Sequence, residues 1–203
     1  MKILLFAIPF LLLFSNCTPE NLSNEKQNPS LPSGDYFGLT ADTTAQIFAE
    51  GIVSREFQEL NAVFSPDGNE FYFTIADASR SFYSIVFYKK NNTGQWEGPL
   101  MTSFSGSYSD ADPYITSDGK KLYYISKRPV GNQTEERKDF DIWMVERTDT
   151  GWGKPIHLDA PINTDENEFY VSVTDEGSIF YSANYEGGLG LSLIHISEPT
   201  RPY

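Results

Sequence analysis

Hydrophobic residues in this chain fall in short clustered runs separated by turn-forming residues, with no long stretch of helical period. The runs Phe71-Tyr72-Phe73-Thr74-Ile75, Leu122-Tyr123-Tyr124-Ile125 and Ile179-Phe180-Tyr181 are aromatic and β-branched without strict alternation. That pattern predicts strands buried on both faces. Each run follows a turn: Ser65-Pro66-Asp67-Gly68, Thr116-Ser117-Asp118-Gly119 and Thr174-Asp175-Glu176-Gly177. In the first of these, proline presets φ at the second position and glycine closes the turn, so a hairpin is expected there; Asp67, Asp118 and Asp175 read as turn formers. Further strands are predicted at Ile85-Val86-Phe87-Tyr88 and Ile142-Trp143-Met144-Val145, and fourth strands near Leu100 and Ile156 to Leu158. Thr43 to Glu50 reads as a brief helical turn.

These elements repeat. The segment from Glu59 to Gly68 recurs from Asp110 to Gly119 and from Glu168 to Gly177, with closing glycines 51 and 58 residues apart. Trp96-Glu97-Gly98-Pro99 recurs as Trp152-Gly153-Lys154-Pro155, a recurrence that favours packing over sugar stacking for both tryptophans. Units of about 50 residues with four strands and a fixed hairpin predict blades of a propeller. The expected fold is all-β: an incomplete β-propeller of two four-stranded blades, at about 52 to 105 and 106 to 162, plus part of a third. The Phe-Ser-Pro-Asp-Gly element with its aromatic strand resembles the WD40-like repeat of the family that includes the periplasmic TolB propeller. The stretch from Tyr36 to Ser54 resembles the lead-in of secreted bacterial members. In related propellers a segment like Ile47 to Ser54 closes the ring by adding a strand to the last blade.

The ends read differently. Met1-Lys2 precedes a twelve-residue apolar run, Ile3 to Phe14, broken only by Pro9. This is the n-region and h-region of a signal peptide, too short to span a bilayer. The sole cysteine, Cys17, follows Leu13-Phe14-Ser15-Asn16, which resembles a bacterial lipobox, although Asn16 and Phe14 depart from the usual residues. The resemblance implies a signal peptide over 1–16, lipidation of Cys17, and residence in the bacterial cell envelope as a lipid-anchored membrane protein facing the periplasm or the cell surface. Residues 17–35 are rich in Asn, Ser, Pro, Glu and Gln and read as a flexible tether, ahead of a propeller over 36–190. After Gly190 the repeat register breaks. Residues 191–203, and in particular Leu191 to Arg201, resemble the conceptual translation of a transposon-based sequencing adapter, which implies a native chain continuing past Gly190. Blades at the ends of so short an array are expected to expose apolar sheet faces.

Charge and composition narrow the chemistry. With 28 acidic and 15 basic residues the net charge is −13, a field that repels phosphate backbones and excludes nucleic acid as a partner. One cysteine excludes a disulfide framework or a multi-cysteine zinc site. Once the tail is set aside His157 is the remaining histidine, placed in an outer strand facing solvent, and neither Ser-His-Asp nor Cys-His catalysis is indicated. Gly187-Gly188-Leu189-Gly190 reads as a hairpin turn and not a phosphate cradle. No catalytic residues and no cofactor are nominated. The candidate ligand site is acidic: Glu59, Asp110, Asp112, Glu166 and Glu168 precede the innermost strands in register and are expected to converge on one channel rim, where calcium or a polyhydroxylated ligand could bind. The reading that results is a non-catalytic binding or scaffolding module, with a membrane contact through its anchor and an envelope protein or glycan as partner. The alternative is a glycan- or peptide-directed envelope hydrolase, with catalysis at the channel rim or in a further C-terminal region.

Overall fold

The computed structural model describes residues 31–40, 42–184 and 192–197. Cys17, the signal segment and most of the tether lie outside these. The described chain is an incomplete β-propeller, an all-β array of three consecutive antiparallel sheets. The first comprises β1 (Gln58–Phe64), β2 (Glu70–Ala76), β3 (Tyr83–Lys90) and β4 (Trp96–Met101), paired in that order. The second comprises β5 (Asp110–Ile115), β6 (Lys121–Ser126) and β7 (Asp141–Thr148), with its fourth position divided between β8 (Gly151–Trp152) and β9 (Ile156–His157), both on β7. The third comprises β10 (Glu168–Val173), β11 (Ser178–Ala183) and β12 (Ser192–Ser197).

The near-continuous apolar runs of β2 and β6 arise because each of these strands feeds two cores. From β2, Tyr72 packs toward the second sheet with Ile85, Leu122, Tyr124 and Trp143, while Phe71 and Phe73 pack on the opposite face. From β6, Leu122 and Tyr124 face the first sheet, and Tyr123 and Ile125 join Ile179, Tyr181 and Ala183 of β11 in the core toward the third. Strand β11 alternates instead: Ile179, Tyr181 and Ala183 are buried, whereas Ser178, Phe180 and Ser182 are half-buried. Residues 192–197, within the stretch that resembles an adapter, pair along the whole of β11. Main-chain hydrogen bonds make such a ladder, so an extended segment of varied sequence can fill that place.

The N-terminal segment departs from expectation. Residues 31–40 and 48–53 cover the free face of the first sheet, where an exposed apolar surface was expected. Phe37 stacks on Trp96 at 4.4 Å between ring centroids and meets Phe48, Phe71 and Tyr88 edge-on. The Trp96 indole donates to the Gly34 carbonyl at 2.9 Å, and the Tyr88 hydroxyl donates to the Ile52 carbonyl at 2.9 Å. Val53, Phe48 and Ile52 complete this core, so the stretch that includes Ile52 and Val53 lies on the face of the first sheet against which a neighbouring blade would pack. Residues 31–35, expected at the end of the tether, bond to β4 through Trp96 N–H to Pro32 O. The expected helical turn at Thr43 to Glu50 is absent. The one helical element among the described residues is a 3-10 turn at Asp35–Gly38, with Tyr36 and Phe37 at positive φ. Trp96 shows why the WxGP and WGKP elements recur: Trp152 does the same work one sheet later, its indole donating to the Tyr72 hydroxyl at 2.9 Å. The cap thus presents Phe37 and a carbonyl where a preceding sheet would present a tyrosine.

Candidate functional site

The predicted turns form as their residues require. Gly68 N–H donates to Ser65 O at 2.8 Å, and the Ser65 hydroxyl donates to Asp67. The Thr116 hydroxyl donates to Asp118 at 2.6 Å, while Asp175 receives Ser117 from the neighbouring sheet. These bonds hold the Asp67 and Asp118 carboxyls below the ordinary aspartate value, the hydroxyl donors Ser65 and Thr116 being the largest cause.

The first strand of each sheet carries the same irregularity. Register slips between Leu60 and Val63 in β1, between Ala111 and Tyr114 in β5, and between Phe169 and Ser172 in β10. A bulge of this kind inserts an extra residue and turns its side chain away from the sheet. The bulged residues are Asn61, Asp112 and Tyr170, all at positive φ: 40°, 56° and 54°. They converge. Asn61 Nδ2 donates to one Asp112 carboxylate oxygen, and Tyr170 N–H donates to the other at 3.4 Å. Asp112 N–H in turn donates to the Thr74 hydroxyl at 3.1 Å. Burial raises the Asp112 pKa, and the donors Asn61 and Tyr170 act against that rise. Around this belt lies an open concavity of about 260 Å³ lined by Asn61, Val63, Asp112, Tyr114, Tyr170 and Val171 among others.

Asn and Asp tolerate the left-handed region, but a large aromatic residue there is an outlier. Tyr170 adopts it while remaining 58% exposed, so burial of its ring offsets little of the strain. It is the belt's one large aromatic face turned to solvent. Sequence reasoning did not nominate Tyr170, although its alignment with Asn61 and Asp112 was already visible in the repeat.

The other nominated carboxylates occupy separate environments. Asp110 is fully buried and ion-paired to Arg128 at 3.1 Å. Arg128 also donates to the Phe104 carbonyl at 2.6 Å and lies over the rings of Tyr124 and Trp143. Burial raises the Asp110 pKa, with Ser126 and Arg128 opposing it. Glu59 is half-buried and accepts Arg55 N–H at 3.1 Å. Glu166 is exposed, its N–H donating to the Thr164 hydroxyl, and Glu168 is fully buried against the second sheet. Of the five, Asp112 is the one that bridges strands of all three sheets. Among the described residues no group of three or more His, Cys, Asp or Glu side chains is placed to hold a metal ion.

His157 is a correction. It was expected to face solvent from an outer strand, yet its side chain is only 16% exposed, with Nε2 2.6 Å from Asp141 Oδ2. Asn163 completes the grouping, its amide 3.0 Å from Nε2 and its carbonyl accepting Ile142 N–H at 2.7 Å. The β9 strand is two residues long and pairs with the edge of β7, His157 opposite Trp143, its imidazole 4.9 Å from the indole between ring centroids. Arg128 and Asp141 went unnominated because their partners come from other strands and loops.

No protein-family model matches the chain, and no curated protein matches it. Among the described residues no helix is long and apolar enough to cross a membrane.

Proposed function

We propose that this chain is a cell-envelope lipoprotein whose propeller, of the WD40-like TolB type, is a non-catalytic binding module, anchored through Cys17 and engaging an envelope glycan at the inner-strand belt. The observation that carries the binding role is Tyr170: a strained, solvent-facing aromatic ring beside the amide of Asn61 and the carboxylate of Asp112. An aromatic face flanked by hydrogen-bonding groups is the surface that polyhydroxylated ligands select, because ring C–H groups of a sugar pack on the aromatic while its hydroxyls find polar partners. The three-sheet array supports the family reading through its repeated hairpins and its bulged inner strands. The lipobox-like residues before Cys17 support the anchor.

Two experiments test the two parts separately. Tyr170→Ala is expected to weaken binding of soluble peptidoglycan oligosaccharides, followed by calorimetry, by roughly tenfold, with an unchanged melting temperature. Equal affinity in variant and wild type would remove the belt from ligand binding. Cys17→Ser is expected to move the chain from the membrane to the soluble fraction of bacterial lysates and to abolish incorporation of labelled palmitate. Retention of both would rule out the anchor.

A further inference from the structure

The first residues of β5 and β10 are equivalent in the repeat, and the structure treats them differently. Asp110 begins β5 with a buried arginine as counter-ion. Glu168 begins β10 equally buried, at 0% exposure, but no ion pair to it forms among the described residues. One of its carboxylate oxygens accepts the Thr164 hydroxyl at 2.7 Å, and the other, Oε2, is buried without a hydrogen-bond partner among the described residues. Two more acids, Asp141 at the start of β7 and Asp139 just before it, act on it through space. The cation nearest to these, Arg137, is already engaged, 2.5 Å from Asp139 and 3.1 Å from Asp141. His157 also sits on Asp141, and Asp141 Oδ1 is itself buried and without a hydrogen-bond partner among the described residues. From β11 the facing titratable group is Tyr181, whose phenol is pushed up by burial and then by Glu168.

This position is also the seam between the second and third sheets. Glu168 N–H donates to the Phe140 carbonyl at 2.9 Å, and Phe140 N–H donates to Asn167 Oδ1 at 2.9 Å. Two buried carboxylates, Glu168 and Asp141, and the half-buried Asp139 cannot all be ionised cheaply across such a seam. We propose that Glu168 is a proton-operated latch: as a neutral acid it seats β10 against the start of β7, and its ionisation loosens the third sheet from the second. A protonated Glu168 supplies a donor among oxygens that otherwise only accept. Burial, followed by the repulsion of Asp141 and Asp139, lifts its pKa from 4.5 to about 7, so the latch would work near neutral pH. A raised carboxyl pKa means that the folded seam binds more protons than the opened one. The latch is therefore fully closed below about pH 4.5 and is lost as pH rises through about 7. It requires neither the anchor nor the glycan.

Hydrogen exchange of the full chain, corrected for intrinsic rates and followed by mass spectrometry from pH 5.5 to 8.5, tests this. Protection of β10 and β11 is expected to fall about tenfold between pH 6 and pH 8, with β2 and β3 unaffected. Glu168→Gln should abolish that fall. Should this variant fail to fold, Asp139→Asn removes one of the facing charges and should shrink it. Constant wild-type protection across the range would overturn the proposal. So would a pH response undiminished in either folded variant.

Discussion

Phe37→Ala is expected to destabilise the chain by about 3 to 5 kcal/mol, as loss of a large buried aromatic side chain does when its surroundings relax only partly. Phe37 is 4% exposed and stands at the centre of the core between the cap and the first sheet, touching Phe48, Phe64, Phe71, Tyr88 and Trp96. Its φ of 58° would remain strained in alanine, so the change recovers nothing from the backbone. Urea unfolding followed by tryptophan fluorescence reads the effect directly, because the ring stacked on Phe37 is Trp96. A loss below about 1 kcal/mol would show that the cap adds little to the first sheet.

Asp110→Ala is expected to cost a similar amount for an electrostatic reason. It leaves the Arg128 guanidinium, 11% exposed, enclosed by aromatic rings with no counter-charge. Removing one partner of a buried ion pair typically costs about 3 to 5 kcal/mol, whereas replacing both by apolar residues of similar volume is often neutral. The double change Asp110→Leu with Arg128→Met should therefore recover most of the stability lost by Asp110→Ala, as measured by chemical denaturation. A double variant as unstable as the single one would mean that the pair does more than neutralise itself, for example by holding Phe104 through its carbonyl.

Strands and hairpins were legible because their causes are local. The runs around Phe71 and Leu122 specify extended chain buried on two sides, the run at Ile179 extended chain with one face fully buried, and Pro66 with Gly68 specifies where the chain turns. The cap was not legible. Phe37 and Phe48 stand in a polar stretch with no period, and their burial depends on a sheet whose strands lie well downstream. The site was legible in part. Aligning the repeats put Glu59, Asp110 and Glu168 in one column with Asp112 and Glu166 close by, but their separate fates depend on contacts the alignment does not contain: an arginine from the loop after β6 for Asp110, and acids at and just before the start of β7 for Glu168. Tyr170 stood in the same column as Asn61 and Asp112, and the change of residue type there was the signal for its unusual backbone. His157 was misplaced because an outer strand suggests solvent, whereas the partners that hold its ring inward, Asp141 and Asn163, come from β7 and the loop after β9.

The cap covers the first sheet with chain that precedes it, the second sheet lies on the first, and the third lies on the second. Every core is thus shared between sequence neighbours, as in repeat arrays whose folding spreads between adjacent units. During synthesis each sheet has its packing partner ready before the next one emerges. The apolar face of the first sheet need not wait for a distant part of the chain to shield it, which shortens the time in which a strand rich in aromatic residues could pair with another molecule.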